Sequence, residues 1–185
     1  MKAVIFDTET TGLVANHTIK IDQQAEIIEF YGAMVDLENG AVLDTLHHFI
    51  KPKKALSNVP NFGDKKTITQ ITGITNEMLA DKPPFAKVAN EIEQFLTFLP
   101  FVIAHNVSFD TEMIDLEMER LKRKITWPRQ ICTVESTSHI KGARLSLTKL
   151  HEHLFGQPFP DAHRADKDTG ALIRCCIELY KRGEL

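Results

Sequence analysis

Asp7 and Glu9 stand two residues apart at the end of an apolar run, Val4-Ile5-Phe6, and lead into Thr10-Thr11-Gly12-Leu13. On a β-strand successive side chains alternate faces, so the two carboxylates point the same way. Like charges side by side on a half-buried strand repel and are costly to desolvate. A hard divalent cation removes that cost, because Mg²⁺ and Mn²⁺ take oxygen ligands and dominate the local field. Two more acidic positions fit the pattern. Asp110 follows the apolar Val102-Ile103-Ala104 and the turn at His105-Asn106, in the first turn of a helix. His163 and Asp168 lie five positions apart at the entrance to the last helix, where carboxylates sit comfortably and free N–H groups can meet a phosphate. Singly, each has a plainer reading: a solvated strand end, a packed or turn histidine at His105, an ordinary helix-start residue at Asp110, a solvated neighbour at Asp166. Four carboxylates and a histidine in this order make coincidence a poor explanation.

The elements that must position them are legible in outline. Lys2–Asp7 reads as a first strand, followed by a polar loop to about Gln24. Glu26–Leu37 and Ala41–Lys51 read as strands joined through Glu38-Asn39-Gly40, a hairpin signal. An irregular stretch rich in Pro, Asn, Gly and Lys runs from Pro52 to Thr67. Pro84–Leu99 carries apolar residues at helical spacing: Phe85, Val88, Ala89, Ile92, Phe95, Leu96 and Leu99. Phe101–His105 reads as a strand, Phe109–Lys122 as a helix and Gln130–Thr133 as a short strand. Glu135–Ile140, Leu147–Phe155 and Asp166–Lys181 read as helices. An antiparallel start followed by alternating helix and strand predicts an α/β fold, a mixed sheet with helices on its faces.

Composition sets bounds. With 185 residues, 43% of them hydrophobic, the chain can bury one core as a single domain over 1–185. No long uncharged apolar run is present and no signal peptide precedes the first strand, so the expected location is cytoplasmic, without a membrane partner. Cys132, Cys175 and Cys176 read as buried reduced thiols, since no partner stands at zinc-finger spacing. A net charge of −3 excludes a broadly basic, duplex-coating protein but not one that grips only a strand end. The basic runs Lys51-Pro52-Lys53-Lys54, Arg120 to Lys124 and Lys141 to Arg144 read as solvated loops and helix ends rather than phosphate contacts. His151-x-His153 falls on a helix, where the two rings point to different faces, and reads as exposed histidines rather than a metal site.

Taken together, Asp7-x-Glu9, Asp110 in an Ala-His-Asn-x-x-Phe-Asp context and His163-x-x-x-x-Asp168 resemble the DEDD exonucleases of the histidine-containing subgroup. Within that group the chain is similar to the proofreading (epsilon) subunit of bacterial DNA polymerase III. Ile71-Thr72-Gly73-Ile74-Thr75-Asn76-Glu77-Met78-Leu79 resembles its connecting segment, and Ser146-Leu147-Thr148-Lys149-Leu150 its penultimate helix. The resemblance implies a ribonuclease H-like fold, with a five-stranded sheet whose first strand is near the centre. It also implies two divalent ions, Mg²⁺ or Mn²⁺. Asp7 would bridge both, Glu9 and Asp168 would complete the shell of one, and Asp110 would serve the other. His163 would be the general base, a role that suits an unperturbed pKa of about 6.5. Thr10, Thr11 and Gly12 would meet the terminal nucleotide and Leu13 would wedge against the last bases, with a purely structural turn and a core Leu13 as the other reading. Asn106 and Phe109 are further candidates for substrate contact, Phe109 with a core position as its alternative.

Two features depart from the family. Ser57–Gln70 is longer than the usual connection, and Thr72 stands where many relatives carry a histidine, which bears on substrate choice. The chain also stops after the last helix, where a proofreading subunit continues into a polymerase-binding tail. The expectation is an excised nuclease domain or a free-standing exonuclease of repair or phage DNA metabolism. The expected activity is release of nucleoside 5′-monophosphates from the 3′ end of single-stranded DNA, in proofreading or repair, with a DNA polymerase as the candidate protein partner. The alternatives are an exoribonuclease trimming RNA, a catalytically silent nucleic-acid-binding scaffold, and a metal-dependent endonuclease.

Overall fold

The computed structural model describes residues 1–15, 18–60, 65–142, 144–159 and 164–185, so His163 lies outside the described residues. Five strands, β1 (Lys2–Thr10), β2 (Ile27–Asp36), β3 (Ala41–Phe49), β4 (Phe101–Ala104) and β5 (Arg129–Cys132), form one mixed sheet in the order β3-β2-β1-β4-β5. The central strand β1 pairs antiparallel with β2 and parallel with β4, and β5 extends the parallel side. The β2–β3 hairpin turns at Gly40, whose φ of +75° is open to glycine without strain. Asn39 Oδ1 accepts from the Ala41 amide to close that turn.

Seven helices are present among the described residues: α1 (Ile68–Thr72), α2 (Asn76–Leu79), α3 (Phe85–Thr97), α4 (Val107–Arg120), α5 (Thr133–Ser136), α6 (Leu147–Phe155) and α7 (Ala165–Arg182). Strand alternation divides their partners. Val4 and Phe6 of β1 face α3 and α4, where Phe30, Ile92, Phe95, Leu96, Met113 and Met118 complete the larger core. Ala3 and Ile5 face the other way, against Leu172 and Cys176 of α7. Asp7 and Glu9 continue this second face, so the pattern that buries Ile5 under α7 also delivers both carboxylates to α7. On the α3 side the approach is close: a Cβ on Gly32 would stand 2.8 Å from the Phe95 ring, inside van der Waals contact.

The expected elements recur with informative shifts. β1 continues three residues past Asp7, because Thr8 and Glu9 still pair with Phe30 and Glu29; the register slips only between Glu9 and Thr10. α4 starts at Val107, earlier than expected, since Asn106 takes a left-handed conformation (φ 76°) that turns the chain out of β4. The helix expected over Glu135–Ile140 is instead the one-turn α5 and a separate 3-10 turn at Ile140–Gly142, with Thr133 and Val134 buried. α1 and α2 fall in a stretch without helical periodicity, where α1 is fixed by a reciprocal cap between Thr67 and Gln70. His151 is a correction: it is buried, its Nδ1 donates to Gln157 O (2.8 Å), and its Nε2 accepts from Arg174 Nε (3.2 Å). Phe155 and Phe159 pack against the same ring, so the side toward α7 wins over the solvated one, while His153 is exposed.

The three cysteines are free and buried, and burial pushes the Cys175 thiol up to about 12, which makes it inert at neutral pH. No helix among the described residues is long and apolar enough to cross a membrane.

Candidate active site

The parallel pairing of β1 with β4 brings the carboxyl ends of both strands to one end of the sheet. α4 starts at that end, directly after β4, and α7 packs there against β1 and β2. Ligand oxygens of Asp7, Glu9 and Asp168 come within 4.8 Å of one another, and all three side chains are half-buried. Asp168 is the fourth residue of α7 and Asp110 the fourth residue of α4. Each therefore sits in a first turn, where the helix dipole favours negative charge.

Asp110 is not one of the three clustered ligands, and Thr8 explains its placement. Thr8 faces α4, opposite to its neighbours, and both its amide (3.0 Å) and its hydroxyl (2.8 Å) donate to Asp110 Oδ1. One residue of β1 thus holds the fourth carboxylate while its neighbours supply the first two.

The electrostatics show what this costs. Burial raises the Asp7 pKa well above the usual carboxylate range, and the charges of Asp110, Asp168, Glu9 and Glu29 raise it further. Glu9 is pushed up to about 8, first by burial and then by Asp168, Glu29 and Asp110, with Arg164 pulling the other way. Asp110 is pushed up to about 7 by burial, against the two Thr8 hydrogen bonds. Carboxylates crowded and desolvated this way are poorly ionised alone and well suited to a divalent cation, which supplies the missing positive charge.

Sequence reasoning passed over two participants. Glu29, fully buried on β2, stands directly opposite Glu9 in the β1–β2 register. It is paired with Arg164, whose Nε and Nη2 donate to its two oxygens at 3.2 and 3.1 Å. The available signal was a lone carboxylate inside the apolar run Ile27-Ile28-Glu29-Phe30, which must find a partner once buried.

Around the carboxylates, the Thr10-Thr11-Gly12-Leu13 turn is held by one internal hydrogen bond and two to Glu26. Thr10 Oγ1 donates to Gly12 O (2.7 Å), the Thr11 amide donates to Glu26 O (2.9 Å), and Thr11 Oγ1 accepts from the Glu26 amide (3.0 Å). Leu13 is 78% exposed, which removes the core position left open for it. It borders a cleft of ≈ 470 Å³ that runs past Thr11, Gly12, Lys54 and Ser57. Asn106 Oδ1 accepts from Arg144 Nη2 (3.2 Å), and Phe109 is half-buried against the larger core. His105 is a packing residue: burial lowers its pKa, its Nε2 donates to Leu145 O (3.0 Å), and Nδ1 meets Thr133 Oγ1 (2.9 Å). Arg120, at the head of one basic run, is buried on Glu117 and donates to the carbonyls of Ile21, Gln24 and Ala25, so it is structural.

Comparison with known proteins agrees with this geometry. Residues 4–175 match the exonuclease family RNase_T. The chain is 33% identical over 181 residues to the PolC-type DNA polymerase III of Staphylococcus aureus, covering 97% of this chain and 11% of that protein. It thus spans about a tenth of the length of the relatives it matches. Among solved structures, Exonuclease X in complex with 5′-overhanging duplex DNA aligns with a TM-score of 0.68 at 24% identity, over 98% of this chain and 93% of that one. The nuclease domain of 3′hExo, a DEDDh family member bound to rAMP, aligns with a TM-score of 0.74 at 17% identity, over 98% and 92%. These two likenesses carry the fold, which is ribonuclease H-like. The chain belongs to the RNase_T exonuclease family, whose DEDD members work with divalent metal ions.

Proposed function

We propose that residues 1–185 form one exonuclease domain that uses two divalent ions, Mg²⁺ or Mn²⁺, to remove nucleoside 5′-monophosphates from the 3′ end of single-stranded DNA. The observation that carries this is the convergence of Asp7, Glu9 and Asp168 within 4.8 Å, with Asp110 acting on them from α4. Charge arithmetic supports two ions. Glu29 is paired with Arg164, and two divalent cations balance the four negative charges that the other carboxylates carry when ionised. When bound, such ions favour deprotonation of water and departure of the 3′ oxygen.

The chain's own residues then divide the work. Asp7, Glu9 and Asp168 would hold one ion, and Asp110 with Asp7 the other. His163 accepts the proton of the attacking water as the new P–O bond forms and the bond to the 3′ oxygen breaks. That oxygen takes up a proton, leaving a shortened strand and a nucleoside 5′-monophosphate. Leu13, exposed beside the cleft, packs against the terminal bases, with Gly12, Thr10 and Thr11 shaping the turn beneath it, and Asn106 and Phe109 at the start of α4 are further substrate contacts.

DNA is favoured over RNA because the relative at 33% identity is a DNA polymerase, whereas the neighbours that bind rAMP or recognise a histone mRNA stem-loop share only the fold. The same relative supports proofreading, with a DNA polymerase as protein partner. The test is digestion of a 5′-labelled single-stranded DNA with Mg²⁺ or Mn²⁺, beside EDTA, a matched RNA and a single-stranded circle. A ladder that shortens from the 3′ end, disappears with EDTA and in Asp7→Ala, and leaves the circle intact is the expected result. Faster turnover of RNA would replace the substrate assignment, and cleavage of the circle would replace the exonuclease reading.

A further inference from the structure

Glu29 is a fifth carboxylate on the face of the sheet that carries the site. Residues directly opposite on antiparallel strands share a face, and like charges so placed are destabilising. Glu29 nonetheless lies opposite Glu9 with no exposure to solvent. Its two oxygens are occupied from elsewhere. Oε1 meets His47 Nε2 (2.8 Å) and Arg164 Nη2 (3.1 Å); Oε2 accepts from Arg164 Nε (3.2 Å) and from the Ala165 amide (3.2 Å). Four donors fill the roughly four acceptor positions of a carboxylate. The Arg164 guanidinium also lies over the Phe49 ring, 5.2 Å from its centroid, and Phe49 is the β3 partner of Glu29.

Arg164 and Ala165 are the N-cap and first residue of α7, Asp168 follows three residues later, and His163 directly precedes Arg164 in the chain. We infer that Glu29 and Arg164 are a positioning pair. They clamp the start of α7 to β2, which sets Asp168 against Asp7 and Glu9. Glu29 is not a metal ligand, despite being a carboxylate beside Glu9. A forked Arg–carboxylate pair fixes direction as well as distance, which a lysine at 164 cannot reproduce. The activity part of this inference rests on the two-metal exonuclease reading; the clamp itself does not.

The experiment compares Glu29→Gln, Arg164→Gln, Arg164→Lys and the Glu29→Gln/Arg164→Gln double variant. Three readouts are taken: Mn²⁺ stoichiometry without substrate, amide hydrogen exchange over residues 165–168, and kcat and KM on single-stranded DNA. Partners that orient metal ligands typically account for 10–100-fold in affinity or activity. Each single variant, Arg164→Lys included, is therefore expected to lose about 10–100-fold in kcat with little change in KM. The double variant should be no worse than either single, exchange over 165–168 should accelerate, and Mn²⁺ stoichiometry should be unchanged. Loss of a bound Mn²⁺ in Glu29→Gln but not in Arg164→Gln would make Glu29 a ligand and overturn the inference. Wild-type kcat in both Gln variants would reduce the pair to a purely structural contact. A wild-type protein with neither Mn²⁺ binding nor nuclease activity would sink the two-metal reading, while the exchange data would still decide the clamp.

Discussion

Removing divalent ions and raising the pH should destabilise this protein, and the size of the effect can be worked from Glu9. Its carboxyl titrates at about 8 in the folded chain against an ordinary 4.5, with burial as the main cause. Between those values the folded state holds a proton that the unfolded chain has already released, so stability falls as pH rises through the window. At about 1.4 kcal/mol per pH unit of displacement, the full cost is on the order of 5 kcal/mol, of which about 4 kcal/mol accrues between pH 5 and pH 9. Asp110, pushed up to about 7, and Asp7 act in the same direction, but the groups interact, so their contributions are not added. For a chain of this length about 4 kcal/mol corresponds to a fall in Tm of roughly 10 °C. The assay is thermal unfolding in EDTA and in saturating Mg²⁺ across that pH range, read as the difference between the arms, so that titration elsewhere cancels. The expected outcome is a Mg²⁺ stabilisation that is small near pH 5 and grows toward pH 9. A difference that is flat with pH, or largest at acid pH, would refute the account of the carboxylate cluster.

Other perturbations address single contacts. Thr8→Val keeps the shape of the side chain but removes the hydroxyl donor to Asp110, leaving one of two bonds on a buried carboxylate. A cost of about 1–3 kcal/mol for an under-satisfied buried group predicts lower activity and an alkaline shift of the acid limb of the pH–rate profile, and an unmoved limb would discount the contact. Leu13→Ala should leave Tm unchanged, since the side chain buries almost nothing, but lower kcat/KM by about tenfold if it packs on a base, as steady-state kinetics would show. His163→Ala should slow the chemical step by about 10²–10⁴-fold, the usual range for a general base, and single-turnover rates across pH would reveal a negligible effect.

How much was legible in the sequence depended on the range of the interaction. Strand alternation put Asp7 and Glu9 on one face, and helical spacing located α3 to within two residues at either end, because both rest on local periodicity. The Asn39-Gly40 turn likewise announced the β2–β3 hairpin. Partners across long separations were not readable. Glu29 meets Arg164 at a distance of 135 residues, and nothing local in Ile27-Ile28-Glu29-Phe30 says which cation neutralises it. The same holds for Thr8 and Asp110, 102 residues apart, and for His151, whose partner Arg174 lies on another helix. The end of β1 was read short for a related reason. Thr8, Glu9 and Thr10 look like the start of a polar turn, yet cross-strand pairing carries the strand to Thr10 through an irregularity at Glu9/Thr10. Such bulges tend to sit beside active sites, where they re-aim a side chain.

Comparing magnitudes shows why the carboxylate cluster favours a divalent cation. The fold offers the carboxylates several compensations. Asp110 and Asp168 each occupy the first turn of a helix, worth about 0.3–1 kcal/mol apiece. Thr8 gives Asp110 two hydrogen bonds, at about 1.5–3 kcal/mol each for a charged acceptor before desolvation is counted. Arg164 pairs with Glu29 and draws the Glu9 pKa down in part. After all of these, Glu9 still titrates at about 8, so on the order of 5 kcal/mol remains uncompensated on that residue alone. Total stabilities of folded chains are only about 5–15 kcal/mol, so a deficit of this size at one residue is not a detail that packing absorbs. The metal-free protein at neutral pH meets it by holding a proton on Glu9, which Glu9 would release to solvent on holding a divalent cation. Metal affinity and proton release are therefore coupled at Glu9, and the affinity should rise with pH until Glu9 is ionised without help.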